Sequence, residues 1–172
     1  MPHQFQLTRG RDDLDLKAEQ EKTLSTPVMD ANFILKGMYA TMDILYGKQR
    51  SLIKFKIIEL LARYPYMAWE DRAYKDISKL YSEDDFVQKK DSERQMHLID
   101  LGRDSQDNEQ YHLMIIEDIM RQKNIKHGRL KGQFLPRVMA WTYYHLSRVI
   151  YFFKPHWSFS MNARFESHAE HE

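Results

Sequence analysis

The chain has 172 residues, which suits one domain, and 42% of them are hydrophobic, which is enough for a sizeable core. Its 26 Lys and Arg residues almost balance its 25 Asp and Glu residues, so the charge argues against nucleic-acid binding as the main function. The absence of cysteine excludes disulfides, thiolate metal sites and cysteine nucleophiles.

Residues 1–25 form a polar segment without the apolar core of a signal peptide, which predicts a poorly ordered tail and a cytoplasmic start. Residues 26–172 are predicted to be one helical domain. A first helix can begin at Thr26-Pro27, because proline is favoured at the first helical position. Apolar residues at helical spacing continue over residues 31–47, and the glycine that ends this run is a stop signal.

The middle of the chain predicts two helices separated by a charged connection. The first begins near Ser51 and continues to about residue 81, and Pro65 is expected to kink it or split it. Residues 82–106 are dense in charge and predict a connection with a short helix inside. A third helix is then predicted over residues 108–122.

The last third of the chain predicts a turn and two helices. A basic turn with two glycines covers residues 123–132, and a fourth helix follows over residues 134–153. Lys154-Pro155 is expected to end it, and a last helix covers residues 160–172. No segment alternates with a period of two over a useful length. The predicted class is therefore all-α, in the form of a helical bundle.

Three glutamates stand in apolar or aromatic surroundings. Glu59 lies in FKIIELLA, Glu109 precedes QYHLMII, and Glu166 lies in ARFESHAEHE. A buried carboxylate needs a compensating group, and a metal ion is a good one. Glu109 and His112, three residues apart, share one helix face. A Glu-x-x-His pair with single glutamates on other helices is the ligand set of di-iron carboxylate bundles, and such ligands suit iron or manganese.

Each of these residues also has an ordinary structural explanation. A Glu-x-x-His pair arises by chance in many helices. Glu59 could form an ion pair with Lys56 or Arg63, and Glu166 with Glu170, one turn later, could belong to a solvated helix face. The residue types alone therefore leave a metal site and a structural role both open.

Three motifs in this order resemble the first metal-ligand motifs of the alternative oxidase family, most closely its plastid terminal oxidase branch. They are IIELLARYPY, DNEQYHLMIIED and RFESHAEHE. ILYGKQRSLIKF, upstream of the first motif, also resembles that branch, and the resemblance runs from about Met38 to the end. It implies a ferritin-like four-helix bundle with additional interfacial helices. It also implies a membrane-bound quinol oxidase that oxidises ubiquinol or plastoquinol and reduces oxygen to water without pumping protons.

The resemblance implies a cofactor of two iron ions with protein ligands on three helices. These ligands are Glu59, Glu109, His112 and Glu166. By the same resemblance Lys54 would line the quinone pocket, although an arginine is expected at its position. Ile58 would contact the quinone ring, and Tyr111 is a candidate to pass an electron. Beyond the metal ligands, no catalytic residue is predicted.

The first motif departs from the family pattern in two ways. The connection between Glu59 and Glu109 is long, which makes Glu70 a rival first ligand. Since the two candidates are separated by about 16 Å of helix, only one of them can serve the site. We favour Glu59 because ARYPY follows it directly. Leu60 stands where family members often have threonine, which weakens this motif.

The ligand set is also short of one motif. The family pattern has a second Glu-x-x-His on a later helix, and none follows Glu166 here. We expect the remaining ligands to lie beyond residue 172, so that the helical domain is incomplete at its C-terminal end. The alternative is that Glu170 and His171 supply the fourth ligand set.

The helix predicted over residues 134–153 is rich in aromatic residues yet contains Arg137, His145 and Arg148. This mixture favours a helix lying in the membrane interface over one that spans the bilayer. We therefore expect a peripheral, monotopic protein on one leaflet, on the cytoplasmic or stromal side, and a homodimer. The alternative is that the apolar stripes only pack against other helices or form a dimer interface.

Two rival functions remain open at this point. One is a soluble, ferritin-like di-iron or di-manganese oxidase that acts on a small molecule. The other is a non-catalytic helical interaction module in which the motifs arise by chance. Fractionation separates the first from a membrane quinol oxidase, and metal analysis separates the second from both.

Overall fold

The computed structural model describes residues 15–80, 89–126 and 128–171, and every regular element in these ranges is helical. The predicted all-α class is confirmed. The elements are α1 (Leu16–Ser25), α2 (Phe33–Tyr46), α3 (Leu52–Leu80), α4 (Lys89–Gln122), a π-helical turn (Leu130–Phe134), α5 (Leu135–Phe153) and α6 (Pro155–Ala169).

Helix α3 is the centre of the fold, because it packs against α2, α4, α5 and α6. On one side, apolar residues of α2, α3, α5 and α6 form the main core. Its buried members are Leu35, Met42, Ile57, Ile58, Leu61, Ala62, Ala140, Tyr143, Met161, Phe165 and Ala169. On another side, α4 packs along α3. The helix that carries Glu59 is therefore fixed by neighbours on several sides.

The structure has a helix inside the predicted N-terminal tail. Asp15 caps α1, since its carboxylate accepts hydrogen bonds from the backbone N–H groups of Lys17 and Ala18, at 3.0 and 3.1 Å. The side chains that follow are mostly exposed, so local capping accounts for this helix better than packing does. The rest of the predicted tail, residues 1–14, lies outside the described residues.

Helix α2 begins later than Thr26-Pro27. Asn32 is its N-cap, and the Asn32 side chain accepts a hydrogen bond of 2.9 Å from the backbone N–H of Leu35. The residues before it are not helical, because their backbone bonds to α6 instead. The Met29 N–H donates to Ser167 Oγ at 3.1 Å, and the Arg164 guanidinium donates to the carbonyl of Asp30. The predicted end of this helix at Gly47 is confirmed, since Gly47 follows α2 with a φ of 90°.

Pro65 does not split the second predicted helix, which is a single α-helix of 29 residues. A proline inside a helix removes one backbone hydrogen bond. Pro65 is fully buried, so the packing of α3 against its neighbours holds the chain helical across this position.

The predicted connection over residues 82–106 is wrong where the structure describes it, because residues 89–106 belong to the 34-residue helix α4. The buried positions of α4 recur at spacings of three and four, as in a packed helix. They are Ile99, Gly102, Glu109, Leu113, Ile116 and Met120. Within the missed stretch the described buried positions are Ile99 and Gly102, so dense charge and few inward apolar residues explain the missed helix. Residues 82–88 lie outside the described part of the chain.

Gly102 lies at a close approach of α4 to α3. Of the described glycines, it is the one at which an added Cβ atom would meet neighbouring atoms. A Cβ atom at this position would lie 3.1 Å from Cβ of Glu70 and 3.2 Å from the carbonyl oxygen of Tyr66. We expect Gly102→Val to lower the free energy of unfolding by about 1–3 kcal/mol, because the helices must move apart. Gly37→Ala is the control: no neighbouring atom lies within 4 Å there, and the change should stabilise α2 by about 0.5–1 kcal/mol. Urea unfolding of both variants tests this, and equal effects would contradict the close approach.

Helices α5 and α6 meet at Lys154-Pro155, where the fourth predicted helix was expected to end. Helix α6 begins at Pro155, earlier than predicted, because a proline at the first helical position suits a helix start. Several large apolar side chains of α5 are exposed, namely Val138, Trp141, Val149, Phe152 and Phe153, and so is Phe134 at the end of the π-helical turn. None of the helices in the described ranges has the length and apolar character needed to cross a bilayer.

Candidate metal centre

Three of the four predicted metal ligands lie together between α3 and α4. Glu59 of α3 and Glu109 and His112 of α4 each offer a ligand atom, and these atoms lie within 4.8 Å of one another. His112 Nδ1 is 2.9 Å from Glu59 Oε2 and 3.5 Å from Glu109 Oε2. The Glu-x-x-His spacing aligns two of the groups on one helix face, and the packing of α4 on α3 adds the third.

The two glutamates are buried, whereas the histidine is partly open to solvent. Glu59 and Glu109 are each 6% exposed, and the His112 side chain is 45% exposed. Hydrogen bonds to Glu109 and Glu59 raise the pKa of His112 to about 10. Burial raises the pKa of Glu59. Burial acts the same way on Glu109, but hydrogen bonds from His112 and Glu59 outweigh it and lower the Glu109 pKa. The cluster therefore favours a bound positive charge.

The fourth predicted ligand, Glu166 of α6, lines the same cavity but is not part of the close cluster. Tyr66 Oη donates a hydrogen bond of 3.1 Å to Glu166 Oε1, and Asn162 Nδ2 lies 3.5 Å from the same oxygen. Burial, followed by the charge of Glu109, raises the pKa of Glu166 to about 8. At neutral pH this carboxyl group is therefore mostly protonated unless a cation is present.

The cavity above the cluster has a volume of about 550 Å³, within the range of small-ligand sites. Its polar lining contains four glutamates together with His112, Tyr66 and Asn108, and its remaining walls are apolar. The apolar lining residues are Leu52, Phe55, Ile115, Ile116, Ile119 and Ala169. Acidic groups inside apolar walls are costly without a compensating charge. The donor set of carboxylate oxygens and one imidazole nitrogen suits iron or manganese.

The structure brings Glu59, and not Glu70, to Glu109. Glu70 accepts hydrogen bonds from Arg103 Nε at 3.2 Å and Gln106 Nε2 at 2.6 Å, so its carboxylate is engaged elsewhere on α4. The basic residues considered as ion-pair partners of Glu59, Lys56 and Arg63, contact other side chains. Lys56 pairs with Glu117, and Arg63 Nη1 donates to Gln110 Oε1 at 2.6 Å.

The predicted quinone residues, Lys54 and Ile58, line a second and smaller cavity of about 150 Å³. Lys54 is buried, and its Nζ lies 2.9 Å from Asp43 Oδ1. Tyr39 and His168 line the same cavity, and their rings stack with centroids 3.9 Å apart. The volume is below the usual range for a small-ligand site, so a quinone ring would fit only if the cavity opened.

Tyr66 and Asn162 are the site residues that sequence reasoning missed. Both contact the Glu166 carboxylate. The sequence did indicate Tyr66, because it lies seven residues after Glu59 and therefore on the same helix face. Tyr111, the proposed electron carrier, does not line the cavity.

Glu170 and His171, the alternative fourth ligand set, lie in different surroundings. Glu170 lines the cavity. The ring nitrogens of His171 instead face two backbone carbonyls, that of Ser167 at 2.8 Å and that of Thr26 at 3.0 Å.

The raised pKa of Glu166 has a consequence for stability in metal-free protein. An acid whose folded pKa lies above its unfolded value costs stability as pH rises from about 4.5 to about 8. We therefore expect Glu166→Gln to stabilise the protein by about 2–4 kcal/mol at pH 9 and to have little effect at pH 4. Thermal unfolding with a chelator present measures this. Glu70→Gln is the control, since its carboxylate is held by Arg103 and Gln106, and a similar gain there would contradict the assignment.

Comparison of the chain with models of known protein families, with curated protein sequences and with solved structures found no match. The resemblance to the alternative oxidase family therefore stays a prediction that rests on the three quoted motifs.

Proposed function

We propose that this protein is a membrane-associated quinol:oxygen oxidoreductase with a carboxylate–histidine iron site of the alternative oxidase type. The observation that carries the proposal is the convergence of Glu59, Glu109 and His112 within 4.8 Å, on two helices. These are three of the four residues that the family resemblance selects as iron ligands. We further propose that the helices form a ferritin-like four-helix bundle with additional interfacial helices.

The donor set fits a divalent iron or manganese ion. Glu59, Glu109 and His112 supply two carboxylates and an imidazole, and the buried carboxylates are stabilised by a cation. A di-iron bundle site has four glutamates and two histidines. The described residues bring four glutamates and one histidine to the cavity, but only Glu59, Glu109 and His112 form the close cluster. One ion therefore finds its ligands in that cluster, and a second histidine for a di-iron site is missing among the described lining residues. Iron bound by these residues would supply one-electron redox chemistry toward oxygen.

The remaining site residues hold the ligands and the substrate in place. Tyr66 and Asn162 orient Glu166 through hydrogen bonds to Oε1. In the second cavity, Lys54 Nζ would donate a hydrogen bond to a quinol oxygen while Asp43 fixes the ammonium group. Ile58 is adjacent to Glu59 on α3 and lines that cavity, so a quinol there would lie one residue from the metal cluster.

Membrane attachment is supported by the outer faces of α2 and α5. Phe33 and Ile44 of α2 are 81% and 82% exposed, and Trp141 and Phe153 of α5 are 65% and 74% exposed. Exposed aromatic residues beside basic ones suit a helix that lies in the membrane interface. We propose attachment to one leaflet, as a homodimer, on the cytoplasmic or stromal side.

The test is oxygen uptake by purified, iron-loaded protein with a soluble ubiquinol or plastoquinol analogue. We expect uptake that depends on quinol and yields water, and a higher KM for quinol in Lys54→Met with unchanged iron content. Protein that binds iron but consumes no oxygen with either quinol would overturn the substrate assignment. Protein that binds no iron would favour the helical interaction module instead.

A soluble iron or manganese oxidase acting on a small molecule is the second candidate. It is favoured by the cavity of about 550 Å³ that lies directly over the cluster and is larger than the cavity at Lys54. Fractionation without detergent distinguishes the two, because a membrane quinol oxidase should sediment with the membranes.

A further inference from the structure

A groove of about 470 Å³ lies between the start of α2, the end of α5 and the part of α6 from His156 to Arg164. It is formed by a different part of the fold from the metal cavity and shares no lining residue with it. Its lining residues are Asn32, Phe33, Ile34, Ile150, His156, Trp157, Ser160, Met161 and Arg164. The volume is within the range of cavities that bind small organic molecules.

The charged lining of this groove is basic. Among the described residues, Arg164 and His156 line it, and no aspartate or glutamate does. Lys154 stands at its edge, with Nζ 4.1 Å from the centroid of the Trp157 ring. Asp30 contacts the lining through its backbone carbonyl, which accepts a hydrogen bond from Arg164. The groove is therefore suited to an anion, in contrast to the acidic metal cavity.

Arg164 is held in place for such a role. Its Nη1 donates to the Asp30 carbonyl, and its Nε lies 3.4 Å from Ser160 Oγ. No ion pair joins Arg164 to a carboxylate in the described part of the chain. A fixed guanidinium that is not neutralised by an acid is well suited to bind phosphate oxygens.

The rest of the groove is apolar and opens onto exposed aromatic rings. Ile34, Ile150 and Met161 form apolar walls. Phe33 is 81% exposed and Trp157 is 53% exposed, so the groove has an aromatic rim at the surface. Aromatic and basic residues together are typical of protein surfaces at the boundary between lipid headgroups and acyl chains. The lining thus matches a molecule with an anionic head and an apolar chain.

We propose that this groove binds one anionic phospholipid, with its phosphate on Arg164 and an acyl chain along Phe33, Ile150 and Met161. The binding needs neither metal nor quinol. It goes beyond the proposed function, and it is tested on metal-free protein so that its outcome is independent of oxidase activity.

The test uses the full chain and a short-chain phosphatidylglycerol at concentrations where the lipid is monomeric, so that no membrane surface contributes. Calorimetry and Trp fluorescence should show saturable binding of one lipid per chain. Arg164→Gln should weaken binding about tenfold, as expected for one charge-assisted contact. Phe33→Ser, at an exposed position, should weaken it about threefold. Arg137→Gln on α5 is the matched control, since Arg137 does not line the groove, and it should leave the affinity unchanged.

Three results would overturn the proposal. The first is the absence of saturable binding to the wild-type chain. The second is an equal loss of affinity in Arg137→Gln and Arg164→Gln, which would show only general attraction of an anion to a basic surface. The third is binding of phosphatidylcholine of the same chain length, or of inorganic phosphate, as tightly as the anionic lipid, since the groove would then not recognise the combined molecule.

Discussion

Replacing Glu109 or His112 by alanine should weaken binding of Fe(II) or Mn(II) at least about 100-fold. Loss of a group that only orients a metal ligand already weakens metal affinity about 10–100-fold, and loss of a direct ligand should weaken it more. The two residues are one helical turn apart and lie next to Glu59, so each variant removes one of only three donors in the close cluster. Metal content after anaerobic loading and dialysis, together with calorimetric titration, measures the effect.

Glu70→Ala is the matched control for this loss. Glu70 lies on the same helix as Glu59, but its carboxylate bonds to Arg103 and Gln106. The variant should therefore keep the affinity for the metal. Circular dichroism should show unchanged helicity in all variants. If Glu109→Ala binds metal as tightly as the wild-type chain, the cluster is not a metal site.

Asp43→Ala should destabilise the fold by about 2–4 kcal/mol, because it leaves the ammonium group of Lys54 buried without this carboxylate. The Lys54 side chain is 6% exposed, whereas the Asp43 side chain is 34% exposed. Removing the lysine instead leaves a carboxylate that reaches solvent. We therefore expect Lys54→Met to cost about 1 kcal/mol or less, so that the two halves of one ion pair have unequal effects.

Urea unfolding at neutral pH measures both changes. Glu19→Ala is the control, because it removes an exposed pair with Lys22 on α1, at 3.7 Å, and should cost less than about 0.5 kcal/mol. Equal destabilisation by Asp43→Ala and Lys54→Met would show that burial of the ammonium group is not what makes the pair important. It would also weaken the proposed role of Lys54 in holding a quinol.

The fold was predictable where apolar periodicity and end signals agree. Gly47 and Lys154-Pro155 ended helices where the sequence indicated, because glycine and proline act locally. Residues 89–106 were missed because charged residues dominate them and because one of their buried positions is Gly102, which faces α3. A glycine there reads as a break in the sequence, yet in the fold it allows two helices to approach closely.

The site was predictable in its residue types and less so in its contacts. The choice of Glu59 over Glu70 depended on a resemblance, and the packing of α4 on α3 brings Glu59 to His112. Tyr66 was not singled out, because a tyrosine has many roles in a helix, and only the position of α6 gives it Glu166 as a partner. Partners supplied by distant helices leave no local pattern in the sequence.

The hydrogen bond between the Met29 N–H and Ser167 Oγ joins residues 138 positions apart. During synthesis, the segment before α2 therefore cannot reach its final partners until nearly all of α6 has left the ribosome. Contacts of such large sequence separation form late and slowly. Until then the apolar side of α2, with Leu35 and Met42, has only part of its final packing surface. We expect the nascent chain to depend on chaperones during this interval.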